Sequence, residues 1–153
     1  MENGGEKLGN GALFEKYRGM KVMVVDDQQI YHDILCSILD SLGFTWVAAF
    51  DGQAGLELFK HELPQLVISD IYMPKANGMM MARAINKIDS QTPIILMTGS
   101  MSENAIVFSP DLKIVSVILK PFKLVDMISA VEKALVYLEE SQNFKGYPEV
   151  RKA

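Results

Sequence analysis

The stretch Val22-Met23-Val24-Val25-Asp26-Asp27 decides how this chain folds. Four apolar residues in a row, three of them β-branched, run without alternation into two carboxylates. A strand that is apolar at every position needs cover on both faces, the condition of a parallel sheet between helices. Four more short runs repeat the pattern: Phe44–Ala49, Leu66–Ser69, Ile94–Met97 and Ile114–Leu119. They follow one another at roughly 20 to 30 residues, the length of a βα unit.

Between the runs the period is helical. Ile30, Ile34, Ile38 and Leu42 repeat at spacing four, and Gly43 follows where a left-handed helix stop belongs. Met81, Ile85 and Ile88 form a second stripe; Leu124, Ile128, Val131, Leu135 and Leu138 form a third. Residues 53–61 predict a shorter helix after Asp51-Gly52, and 102–108 a weak one ended by Pro110. Strands alternating with helices predict an α/β fold: a single-domain, doubly wound five-stranded parallel sheet with helices on both faces. The flavodoxin-like strand order 2-1-3-4-5 reverses beside the first strand and gathers ligands at the carboxyl ends of strands 1 and 3.

The composition fits one such domain. The chain has 153 residues, 49% hydrophobic and 22% charged, with a net charge of −4. That acidity, without a Lys/Arg block, argues against a nucleic-acid or anionic-membrane partner. No apolar run approaches the ~18 residues of a membrane span. Cys36 stands alone, which excludes an internal disulfide and suits the reducing cytoplasm. Glycines crowd the first nineteen residues, so 1–19 reads as a flexible leader, 20–140 as the domain and 141–153 as a tail. Within the leader, 12–18 could form one helical turn with Leu13 and Tyr17 on one face. Nothing after residue 140 is large enough for an output domain, so either a stand-alone module or a piece cut from a larger protein, with the glycine-rich leader as its linker, is expected.

The strand ends carry the chemistry. Besides Asp26-Asp27, Ile68-Ser69 runs into Asp70, Leu96-Met97 into Thr98, and Ile118-Leu119 into Lys120. In the proposed order Asp26, Asp27 and Asp70 converge in one shallow pocket. Three carboxylates that close repel one another, and a hard divalent cation such as Mg²⁺ resolves the conflict. Thr98 and Lys120 supply a hydroxyl donor and a positive charge to an anion on the same side. Singly, Asp26 or Asp27 could cap the first helix and Asp70 could begin a turn; all five at the right ends make a constellation. The chain has no G-x-x-x-x-G-K-[ST] loop, no G-x-G-x-x-G turn and no G-x-S-x-G elbow. A dehalogenase-type phosphatase would want an aspartate two residues after its nucleophile, where Gln28 or Gln29 stands.

Val24-Val25-Asp26-Asp27, Asp70-Ile71-Tyr72-Met73-Pro74 with Gly78, Thr98, and Lys120-Pro121-Phe122 together resemble the CheY-like receiver domain of two-component response regulators. The resemblance covers about residues 20–140. It implies that Asp70 accepts a phosphoryl group from a histidine kinase or histidine phosphotransfer protein. It further implies that Asp27, Asp70 and the Tyr72 backbone carbonyl ligate Mg²⁺, with Asp26 acting through water. Thr98 and Lys120 would bind phosphoryl oxygens, and the Lys120–Pro121 bond would be cis. A downstream target, or a second copy in a homodimer, would read the family's helix 4–strand 5–helix 5 face, here 102–108, 114–119 and 124–138.

Three departures bear on output. Val117 stands where the family often has a Tyr or Phe that swings on phosphorylation. Lys113-Ile114 replace the usual Gly-Ala before strand 5. Tyr72 and Ser100 flank the path of the hydrolytic water, and a bulky Tyr72 could slow dephosphorylation. Two other functions fit some of the same residues: a degenerate, phosphorylation-independent interaction module, and a metal-dependent phosphohydrolase, which lacks a placed general acid. His32 and His61 read as solvated or capping residues. Met81 is expected in the core, with Met79 or Met80 exposed.

Overall fold

Each apolar run becomes a strand. The computed structural model describes residues 9–73, 75, 77–99 and 112–143. In it β1 is Lys21–Val25, β2 Thr45–Ala49, β3 Leu66–Asp70, β4 Ile94–Thr98 and β5 Ile114–Leu119. They pair in parallel in the order β2-β1-β3-β4-β5. This is the doubly wound, flavodoxin-like α/β sheet expected from the sequence. β3 and β4, inside the sheet, are buried at every position, whereas β2 and β5 at its edges are only partly covered.

Side-chain alternation along the strands builds two core layers. Val22, Val24, Leu66, Ile68, Ile95 and Met97 face one layer, closed by α2 (Gln29–Ser41) and α5 (Leu124–Asn143). Met23, Val25, Val67, Ile94 and Leu96 face the other, closed by α3 (Gly52–Glu62) and α4 (Gly78–Ile88). Helix starts are set locally: Asp51 Oδ1 accepts from the Ala54 N–H at 2.7 Å, and Asn77 Oδ1 from Met80 at 2.9 Å. Such caps contribute about 1 kcal/mol each. Gly43, at φ +88, ends α2 in the left-handed conformation. Met79 and Met81 are buried and Met80 is exposed.

Two expectations change. Residues inside the supposed leader form α1 (Gly11–Lys16), which packs on α5. Phe14, Tyr17 and Met20 belong to the first core layer, so from about residue 10 the chain is part of the domain. Their burial outweighs the flexibility that the neighbouring glycines suggest. The α2 stripe also turns. Ile30 (58% exposed) and Ile34 (38%) face outward, while His32, Leu35, Ile38 and Leu39 are buried. A step of four overshoots one turn by about 40°, so four residues so spaced spread over about 120° and cannot share one narrow buried face. The helix expected at 102–108 and residues 144–153 of the tail lie outside the described residues; α5 itself runs to Asn143.

Candidate functional site

The parallel register sets Val25 of β1 against Ser69 of β3, so the residues that follow, Asp26 and Asp70, lie side by side at the carboxyl ends of the two strands. Asp26, Asp27 and Asp70 each offer a carboxylate oxygen, all within 4.8 Å of one another. Asp26 is fully buried, Asp70 is 7% exposed and Asp27 is open to solvent. Lys120 arrives from the end of β5. Its Nζ donates to Asp26 Oδ2 at 2.9 Å and lies 3.4 Å from Asp70 Oδ2. Asp26 Oδ1 accepts the Gln28 N–H at 2.9 Å, which ties the β1–α2 turn to the same carboxylate.

The backbone around Asp70 is fixed from the other side. The Gly78 N–H donates to the Ile71 carbonyl at 2.7 Å, and a Cβ on Gly78 would overlap the Asp70 carbonyl oxygen. Only glycine allows α4 to start that close to the strand end. Thr98 is fully buried at the end of β4, with its carbonyl accepting the Lys120 N–H at 2.7 Å. Above these groups opens a pocket of about 690 Å³, lined by residues that include Asp27, Tyr31, Asp70, Tyr72, Gly99 and Lys120. Thr98 and Asp26 are fully buried and do not line it. The Lys120–Pro121 bond is cis.

Burial raises the Asp70 pKa, Lys120 opposes it, and the charges of Asp26 and Asp27 push it further up; the carboxyl sits above its ordinary value. Burial works against the Lys120 charge, but the Asp26 hydrogen bond and the charges of Asp70 and Asp26 outweigh it and hold its pKa above the ordinary. Three carboxylates facing one ammonium leave about two negative charges uncompensated when all are ionised. Oxygen donors so arranged fit a hard divalent cation such as Mg²⁺.

Of the five predicted strand-end residues, Asp26, Asp27, Asp70 and Lys120 come together through their side chains, Thr98 adjoins them through its backbone carbonyl, and Tyr72, 43% exposed, lines the pocket. Sequence reasoning missed two neighbours. His32 is buried rather than solvated: its Nε2 is 2.7 Å from the Asp26 carbonyl, and the Phe50 ring lies 4.0 Å away centroid to centroid. A carbonyl only accepts, so Nε2 carries a proton and Nδ1 is left buried without a partner. The spacing of His32 to Leu35 and Leu39 was the available signal. The second is Tyr31, whose ring faces the Lys120 ammonium at 3.9 Å.

Comparison with known proteins agrees with this architecture. The sequence model described as the response regulator receiver domain matches residues 22–132, and the chain belongs to that family. It is 33% identical over 119 residues to the regulator of RpoS of Escherichia coli (strain K12), covering 78% of this chain and 35% of that protein. The chain thus spans about a third of that relative's length. A response regulator receiver domain protein of Clostridium thermocellum superimposes with a TM-score of 0.73 at 24% identity, covering 80% of this chain and 98% of that one. The response regulator TrrA of Thermotoga maritima, solved in complex with Mg²⁺–BeF, gives a TM-score of 0.68 at 27% identity, covering 75% and 98%. Among the described residues no helix is long and apolar enough to cross a membrane.

Proposed function

We propose that Asp70 accepts a phosphoryl group from a histidine kinase or histidine phosphotransfer protein, and that the cytoplasmic domain then signals by phosphorylation-dependent protein–protein contact. The convergence of Asp26, Asp27 and Asp70 within 4.8 Å, with Lys120 between two of them, carries this reading. An Asp70 carboxylate oxygen attacks phosphorus in line. The P–N bond of the donor's phosphohistidine breaks, the imidazole leaves with the bonding pair, and a P–O bond forms as an acyl phosphate.

Asp27, Asp70 and the Tyr72 backbone carbonyl would hold Mg²⁺, with Asp26 acting through water; the Mg²⁺–BeF complex of TrrA supports this choice of ion. Bound there, the cation would offset the charge that the carboxylates and an incoming phosphoryl group share. The Thr98 hydroxyl donates to one phosphoryl oxygen. Lys120 exchanges part of its contact with Asp26 for another. Positioning and charge neutralisation supply most of the rate in such transfers, because the transition state is loose. The chain therefore catalyses only its own phosphorylation and dephosphorylation.

The new charge draws Thr98 and its neighbours inward. The downstream target, or a second copy, reads the face of β5 and α5, where Leu119 and Val136 are exposed. Val117 is half-buried against the second core layer and offers no ring to swing. It favours the second reading, a constitutive interaction module, and equal partner binding by wild type and Asp70→Asn would establish that one instead.

Acetyl phosphate with and without Mg²⁺, followed by intact mass spectrometry, tests the proposal. A Mg²⁺-dependent phosphoryl adduct on wild type and none on Asp70→Asn is expected. Absence of an adduct on wild type, or an equal one on Asp70→Asn, would overturn it.

A further inference from the structure

The Lys120 ammonium has three protons and a side chain only 8% exposed, so protein groups must replace most of its water. Two directions are taken by Asp26 at 2.9 Å and Asp70 at 3.4 Å. The Tyr31 ring takes another, its centroid 3.9 Å from Nζ. That separation is well inside the roughly 6 Å over which an aromatic face attracts a cation. Tyr31 is itself braced: its ring meets Phe122, two residues past Lys120, with centroids 5.9 Å apart. Tyr31 also lines the pocket together with Asp27 and Asp70.

We propose that Tyr31 is a positioning residue for the phosphoryl transfer, its ring serving as an uncharged platform on which Lys120 moves from Asp26 toward the incoming phosphoryl oxygens. The inference rests on the function proposed above. The choice of an aromatic face has a physical reason. A third carboxylate would hold the ammonium by charge and compete with the phosphoryl group for it. Water would let the long side chain sample many rotamers, at an entropic cost when it is fixed for the reaction. A ring face attracts the cation weakly, has no preferred hydrogen-bond direction, and stays in contact as the ammonium shifts across it. The lysine is thereby kept desolvated and confined without being locked to one anion.

The full chain tests this with Tyr31→Phe and Tyr31→Leu, each also combined with Lys120→Ala, using the acetyl phosphate labelling rate as readout. Tyr31→Phe should label within about twofold of wild type, and Tyr31→Leu about tenfold more slowly. In the Lys120→Ala background Tyr31→Leu should add no further loss, because its effect passes through the lysine. Labelling of Tyr31→Leu at the wild-type rate, an equal loss in Tyr31→Phe, or an undiminished effect without Lys120 would each overturn the proposal. A second readout needs no phosphorylation and no variant: the tyrosine ring current should move the Lys120 ε-methylene proton signals upfield in the wild-type NMR spectrum. Unshifted signals would refute the platform even if labelling proceeds. Failure of wild type to label, with the signals shifted, would refute the function proposed above and leave the contact standing.

Discussion

At the pocket, three carboxylates face one ammonium. At the seam between α1 and α5, a single carboxylate, Glu139, receives the Tyr17 hydroxyl at 2.7 Å and the Lys16 ammonium. The chain enters β1 from the seam and leaves it at the pocket, so one five-residue strand joins the two. At the seam Lys16 pairs with Glu139 and Arg18 with Glu15, above a buried floor of Phe14 and Tyr17. The pocket keeps an excess of like charge that nothing else in the described residues neutralises. Paired charge over apolar surface stabilises a fold; concentrated like charge costs stability and persists where a cation or reacting group is to be bound. The contrast separates what holds this molecule together from what it is built to do.

Truncation at the seam should have the largest effect on stability. Phe14→Ala removes a side chain that is 6% exposed and should lower the unfolding free energy by about 3 kcal/mol, read from urea denaturation. An unchanged midpoint would mean that α1 is a detachable leader, and the comparison would collapse. At the pocket the sign should reverse. Asp27→Asn removes one of the repelling charges and should raise stability by about 1 kcal/mol in Mg²⁺-free buffer. Added Mg²⁺ should then stabilise the variant less than wild type. A variant less stable than wild type without Mg²⁺ would show that the acidic cluster is structural.

The smallest effect is that of pH on the seam. The hydrogen bonds from Lys16 and Tyr17 hold the Glu139 carboxyl below its ordinary value. Its contribution is therefore present above the unfolded carboxylate pKa of about 4.3 and lost as pH falls through the lower folded value. Burial, then the bond to Glu139, push the Tyr17 hydroxyl far above its usual value. That contribution is complete below the unfolded tyrosine pKa of about 10 and is lost as pH rises beyond it. Tyr17→Phe should flatten both ends of the stability profile; an unchanged profile would remove the seam from the account.

The sheet and the strand-end constellation were legible because both follow from position along single strands. A continuous apolar run demands burial on both faces, and the residue after it must emerge at the carboxyl end, so Asp26, Asp70, Thr98 and Lys120 could be placed without coordinates. What escaped depends on contacts between elements. Phe14 and Tyr17 lie among glycines, and only contacts with distant elements, Phe44 and α5 among them, make their burial worthwhile. His32 reads as polar until the Asp26 carbonyl supplies its partner. Lys120 was expected to await an anion, and the structure pairs it first with Asp26 and seats it on Tyr31. Spacing shows which residues share an end of the sheet, but not which of them a flexible lysine will touch.

The central claim is that the unbalanced pocket exists to receive a phosphoryl group on Asp70. Borohydride reduction of the protein after Mg²⁺–acetyl phosphate treatment, followed by peptide mapping, tests it most directly, since an aspartyl phosphate is reduced to homoserine. The account predicts homoserine at position 70 alone, and only when Mg²⁺ was present. Homoserine at position 26 or 27, or none in a protein that carries a phosphoryl adduct, would contradict it.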